Sequence, residues 1–558
     1  MFACCALWWF AACANTAVGT DGGAVDAVSE RVGGDAGVDA LAPAMWPQPD
    51  PAAPRLIAPL SCTWHSSRRP TLRWALPPGV ERVVVEVCAD RPCQRVEHTL
   101  EVTGSSTRVP EELRPGAHFW RAFALVDGRR GAGSFTWEFR APIRGTPADL
   151  AVATYVDVNG DGYGDALIPA SSDTEAYTYV YFGGPSGLNR TPNQRLAYAI
   201  PKDIGDLNGD GFSDVILSRS WIEGEPLDPR RYARQVFLGS ARGLVETSHT
   251  LEHPDFGTTL ESGGAQLSSS LGDVNGDGYA DVSTVNNLVV AIRGDRAWVH
   301  FGSRSGYDPR NSFEVAPPLP GLGVFGRIYP LGDFDGDNRP DFLLEGSRSA
   351  TGFEPCVDFV VAGEHLQNPG THARQLLPPP GYELGVVAIT NRLRHCDLNR
   401  DGRAEVVLDS YRSGTARRLT FYTSVPGSGP IPPSRSVDGG ELFSGGASLD
   451  VSCVPDLDGD GFNDLVGSRF PITDWWIRGS STSTSAPEPV DNLSIHSKLS
   501  SRREATNDAN GDGRADMLVT QPRVATVYAA SSNGPPVEQY RLFVPMEPNA
   551  TLNGFSLF

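Results

Sequence analysis

The chain has 558 residues, with 67 acidic against 47 basic side chains, a formal charge of −20 and 40% hydrophobic residues. Lys202 and Lys498 are its two lysines; the bias towards Arg fits a GC-rich, bacterial coding sequence, and the acidic balance gives no basic face for nucleic acid. No Gly-x-Ser-x-Gly elbow, His-Glu-x-x-His pair or Gly-rich phosphate loop occurs, so the hydrolase, zinc-protease and nucleotide chemistries they serve have no support here.

Residues 2–12 form an apolar run too short to span a bilayer, and they read as the hydrophobic part of a secretory signal. Phe10-Ala-Ala-Cys13 resembles a bacterial lipobox, which implies a lipid on Cys13 after cleavage. An outer-membrane or cell-surface lipoprotein, plain secretion and an uncleaved start all stay open. Cys13 would be the sole route to a membrane. Residues 14–54 are rich in Ala, Gly, Asp and Pro and read as a disordered tether.

Residues 55–142 read as a separate small β-sandwich, with strands expected at Thr71–Ala75, Arg82–Val87, Phe119–Leu125 and Ser134–Phe139. The stretch Leu113–Ala122 resembles the late strand of fibronectin type III or Ig-like domains, and about 90 residues suits that class. Cys88 and Cys93 flank a hairpin turn, so a disulfide is expected in an exported protein. The pairing of Cys62, Cys356, Cys396 and Cys453 stays open.

Residues 143–558 carry seven copies of one acidic loop, 49 to 67 residues apart. The first three place candidate metal ligands at Asp157, Asn159, Asp161, Tyr163 and Asp165; at Asp206, Asn208, Asp210, Phe212 and Asp214; and at Asp273, Asn275, Asp277, Tyr279 and Asp281. The fourth and fifth place them at Asp333, Asp335, Asp337, Arg339 and Asp341, and at Asp397, Asn399, Asp401, Arg403 and Glu405. The last two use Asp456, Asp458, Asp460, Phe462 and Asp464, and Asp508, Asn510, Asp512, Arg514 and Asp516. Oxygen side chains thus recur at loop positions 1, 3, 5 and 9, and position 7 can add only a main-chain carbonyl where its residue is Phe, Tyr or Arg. A hard dication such as Ca²⁺ takes six to eight oxygens, and such a loop gathers them. Position 6 is Gly in six copies and Asn338 in the other, which suits a left-handed turn. Seven bound dications would offset 14 of the 20 net negative charges, leaving about −6, so the acidity belongs mostly to the loops. A solvated Asp-Gly turn explains one such loop but not seven.

The surroundings exclude an EF-hand, because position 12 is never acidic and no helix follows. Short apolar runs follow instead, such as Ala166–Ile168, Val215–Leu217 and Phe342–Leu344, and a later aromatic or β-branched strand follows each loop, such as Tyr179–Phe182 and Trp298–Phe301. Four strands per unit and seven units make the pattern of a β-propeller, which buries its faces only as a ring. The repeats resemble FG-GAP (VCBS-type) repeats, the units of the integrin α-chain N-terminal propeller. That resemblance implies a seven-bladed propeller whose loop links the first two strands of each blade and binds calcium. The apolar C-terminal segment Asn553–Phe558 is expected to pair beside the first blade, near residues 149–156, and close the ring.

Arg293-Gly-Asp295 is read as a chance tripeptide, His395 as a packed or solvated side chain, and Trp475-Trp476 as blade core in preference to a sugar-stacking platform. The functional expectation is an exported, monomeric, calcium-stabilised module binding an extracellular protein or glycan without catalysis. The alternatives are a propeller hydrolase or polysaccharide lyase, and a spacer without a ligand.

Overall fold

The computed structural model describes residues 50–141 except 62 and 66, and much of 151–552. In that second part it leaves out 155, 172–175, 198–199, 219–233, 251–265, 276, 278, 287–295, 319–323, 333, 337–339, 348–355, 363–364, 385–395, 400, 402, 413–416, 439–448, 455–461, 470–472, 481–487, 490–501, 512–515, 522–523, 532–533 and 546–550. The expectations for the leader, for residues 14–49, for Arg293 to Asp295, for His395 and for residues 553–558 lie outside the described residues. So do those for Asp333, Asp337, Arg339, Asp456, Asp458, Asp460, Asp512 and Arg514.

Residues 55–141 form two sheets around one core. Arg55–Ala58, Thr71–Ala75 and Ser106–Arg108 make the smaller sheet; Thr63–His65, Trp137–Ala141, Gly116–Val126, Arg82–Cys88 and Val96–Thr103 make the larger, with Arg129–Gly133 on its Gly116–Val126 strand. Alternation along the strands turns Leu72, Trp74, Val83, Val85, Trp120 and Phe139 inward. A disulfide joins Cys88 to Cys93.

Seven four-stranded antiparallel sheets follow in chain order, the arrangement of a β-propeller. The second is Ile200–Gly205, Asp214–Ser218, Arg234–Leu238 and Val245–Thr250, and the third to seventh repeat that order. Their second strands, such as Asp341–Ser347 and Val406–Tyr411, are the apolar runs that follow the acidic loops, and their third strands are the aromatic ones. The core clusters each span neighbouring sheets. Leu167 and Val180 pack with Val215 and Phe237, Val299 packs with Phe342, and Ile168 and Tyr179 pack with Leu518 and Val527. A sheet buries its faces on both neighbours, so the stability of each depends on the ring.

The first sheet departs from the sequence expectation. Ala151–Thr154 does not pair with Ala166–Ser171; it pairs with Thr63–His65 of the preceding domain. Its place is taken from the other end of the chain by Thr551–Leu552, paired as Ala170 to Leu552 and Ser171 to Thr551. Thr551–Leu552 thus completes the first sheet on Ala166–Ser171, while the pairing expected of residues 553–558 near residues 149–156 lies outside the described residues. Closure is reinforced where Gly164 donates to the Asp508 carbonyl at 3.0 Å and the Tyr181 hydroxyl donates to that of Phe543 at 2.9 Å. A second disulfide, Cys396–Cys453, links the residue just before the fifth loop to the first strand of the sixth sheet, Leu449–Val454. Among the described residues no helix is long and apolar enough to cross a membrane.

Candidate metal centre

In sheets two to seven the acidic loop lies between the first and second strands, and its shape follows from its own residues. Gly160, Gly209, Gly336 and Gly511 at position 4 and Gly162 and Gly211 at position 6 have φ between +68° and +94°, where a Cβ is strained. Sequence reasoning anticipated position 6 and missed position 4. The side chains at positions 1, 3 and 5 then turn inward onto the loop's own N–H groups. Asp157 accepts from Gly160 at 2.7 Å and from Gly162 at 2.9 Å; Asn159 Oδ1 accepts from Asp161 at 3.2 Å; Asp161 Oδ1 accepts from Tyr163 at 3.0 Å. The second loop repeats this through Asp206, Asn208 and Asp210, and the third through Asp273, Asn275 and Asp277. In the fifth loop, carboxylate oxygens of Asp397, Asp401 and Glu405 lie within 4.8 Å of one another.

The acid at position 9 has a second task. Asp165 accepts from Val158 at 2.7 Å with one oxygen and from Gly183, beyond the third strand, at 2.9 Å with the other. Asp214 does the same with Leu207 and Gly239, and Asp281 with Val274 and Gly302. Asp341 accepts from Phe334, Asp464 from Gly479 and Asp516 from Ala509. Glu405, one methylene longer, accepts from Leu398 and reaches Asn399 in its own loop. This acid therefore ties the loop to the far end of the third strand. The Gly that recurs after that strand was the available signal for it.

Position 7 joins loop to loop. A Cβ on Gly160 would lie 2.7 Å from the Phe212 ring, one on Gly511 2.7 Å from the Tyr163 ring, and one on Gly336 2.6 Å from Arg403 Nε. Each of these three position-7 side chains thus covers position 4 of the preceding loop. The position-8 N–H groups of Ser213 and Ala280 donate to the Asp157 and Asp206 carbonyls at 3.0 and 2.8 Å. Tyr163, Phe212 and Arg403 cannot ligate through these side chains, which leaves their carbonyls. Trp475 and Trp476 are both buried, as expected of blade core.

Burial and neighbouring carboxylates disfavour the ionised form of several loop acids. Burial, then the Asp161 carboxylate, pushes Asp157 well above the usual carboxylate range; burial, then Asp157 and Asp161, does the same to Asp165. Burial and then Asp210 push Asp206 up to about 7, and burial leads in raising Asp281 and Glu405 to about 8. Arg91 and Arg55 relieve Asp157 and Asp210 only in part. Gathered, desolvated carboxylates of this kind fit a bound dication, which would hold them ionised.

No family profile matches the chain. Integrin alpha-4 of Xenopus laevis is 31% identical over 147 residues, which is 24% of this chain and 14% of that protein. Integrin alpha-7 of Homo sapiens is 28% identical over 241 residues, 40% of this chain and 17% of that protein. The chain thus spans less than a fifth of the length of these relatives. Among solved structures, a periplasmic gluconolactonase of Pseudomonas aeruginosa is similar with a TM-score of 0.36 at 13% identity, covering 68% of this chain and 99% of that one. A rhamnogalacturonan lyase of Bacillus licheniformis is similar with a TM-score of 0.26 at 13% identity, covering 88% and 77%. Structural likeness at these scores carries no functional argument. Over a fraction of its length, the chain is similar to integrin α chains.

Proposed function

We propose that this chain is an exported, calcium-stabilised propeller of seven blades that binds an extracellular protein or glycan and catalyses no reaction. The observation that carries this is the repeated loop, in which carboxylates are gathered and several of them are buried. Calcium would be held by the side chains at positions 1, 3 and 5, by the position-7 carbonyl and by the acid at position 9, in up to seven loops. Its chemistry there is charge neutralisation and cross-linking of a turn, with no water or substrate to activate. The two disulfides favour an oxidising compartment, and the partial likeness to integrin α chains favours a binding role. Residues 55–142 serve as a β-sandwich of the fibronectin or Ig type, Cys13 as the point of any lipid anchor, and the chain acts as a monomer.

Glycan and protein arrays, with a parallel hydrolase and lyase panel, test this reading. It expects a binder that is lost in chelator, with no turnover. Cleavage of a polysaccharide by the purified chain would overturn it in favour of a propeller enzyme.

A further inference from the structure

The β-domain of residues 55–141 sits directly on the acidic loops. Trp137 Nε1 donates to the Gly160 carbonyl at 2.8 Å, and Ser61 Oγ donates to that of Gly162 at 3.2 Å, both in the first loop. The Arg55 guanidinium donates to the Asp210 carbonyl in the second loop and lies 5.5 Å from the Phe212 ring centre. Arg91 stands in the turn that the Cys88–Cys93 disulfide spans. Its Nε donates to the Gly511 carbonyl in the seventh loop at 3.1 Å, and its guanidinium lies 4.3 Å over the Tyr163 ring in the first. Thr136 and Glu138 hold the rest of that guanidinium from within the domain. The main chain is as close. A Cβ on Gly162 would collide with the Thr136 carbonyl, and one on Gly211 would meet the Leu56 carbonyl at 2.6 Å.

The seventh, first and second loops are consecutive around the closed ring. The contacted carbonyls belong to position 5, itself a ligand position, and to positions 4 and 6 on either side of it. Moving any of them moves the inward side chains. Resting on the calcium reading above, we propose that docking of the N-terminal domain and calcium binding at these three loops are thermodynamically coupled. The chain then carries two classes of calcium site: three clamped by the domain and four outside its described contacts. Calcium would set whether the domain's contacts with the three loops are held or released. By reciprocity, the domain tightens the three sites by the same factor that calcium tightens docking. Couplings of this type run from about 5-fold to about 150-fold.

The test compares calcium isotherms of the full chain and of an Arg55→Lys, Arg91→Lys double variant, which keeps both positive charges beside the loops and loses the guanidinium fork. Neither arginine is a ligand, so a simple loss of metal oxygens is not at issue. The expected result is weakening of three sites by about 5-fold or more, with the others unchanged. In the unaltered chain, amide hydrogen exchange of the loop-facing segments around Leu56, Arg91 and Trp137 should quicken as calcium is lowered, over a range in which the propeller's melting transition persists. This second measurement stands even if the variant does not fold. Seven sites weakened alike, an isotherm that does not change, or exchange independent of calcium would overturn the coupling while leaving the metal sites intact. A chain that binds no calcium would remove both the coupling and the reading beneath it.

Discussion

The double role of the position-9 acid separates two substitutions that look alike in sequence. Asp165 is fully buried and holds two main-chain N–H groups, Val158 and Gly183; Asp277, at position 5 of the third loop, is exposed and accepts within its own turn. In Asp165→Asn an NH2 group must face one of those N–H groups and cannot accept from it. A protonated carboxyl could still accept, so the conclusion does not depend on the charge state of Asp165. Leaving one buried N–H unpaired costs about 1–3 kcal/mol, and weakening the other bond adds about 1. An unfolding entropy of about 2.1 cal/mol/K per residue over roughly 400 residues gives ~0.8 kcal/mol/K, so about 3 kcal/mol lowers Tm by ~4 °C. Melting followed by circular dichroism in excess chelator should show that loss for Asp165→Asn and almost none for Asp277→Asn. With calcium present, both should lose stability, because each removes charge from a site. Equal melting of the two variants in chelator would refute the structural tie.

Three further outcomes follow from the same geometry. In chelator, melting temperature should fall as pH rises from about 5 to about 9. Asp206, Asp281 and Glu405 are raised to about 7, 8 and 8 in the folded state, so their contribution is complete below the unfolded values near 4 and is lost through that interval. A melting temperature that climbs with pH in chelator would contradict this. Deleting residues 549–558 removes the strand on Ala170 and Ser171 and opens a sheet edge, so the truncated chain should melt earlier and self-associate; a monomer with unchanged melting would count against closure. Under limiting calcium the four-acid loops starting at Asp333 and Asp456 should fill first and the loop from Asp397 to Glu405 last, since Arg400 and Arg403 oppose a dication. Site-by-site occupancy read by NMR would refute this ranking if all loops filled together.

Local chemistry was legible in the sequence and long-range pairing was not. The spacing of Asp, Asn and Asp with Gly between them dictates a turn by itself, so the loops and the buried strands after them could be read directly. The strand at Ala151–Thr154 has the composition of an inner blade strand. Nothing in those four residues says that Thr63–His65 outcompetes Ala166–Ser171 for its edge. The same holds for Cys396 and Cys453, 57 residues apart and joined only because neighbouring sheets bring them together. Arg91 and Trp137 carry no motif, and their partners are loop carbonyls, which every residue offers. The position-9 acid was read as a ligand because composition cannot show that both its oxygens also hold backbone N–H groups.

The most direct measurement is the melting curve of the full chain in 1 mM calcium against excess chelator. With a dissociation constant of about 10⁻⁴ M, each site contributes about 1.4 kcal/mol, and seven sites about 10. At ~0.8 kcal/mol/K this corresponds to a drop of ~12 °C on removing calcium. A fall of that order, restored by adding calcium back, is the predicted result; superimposable curves would contradict a calcium-held propeller.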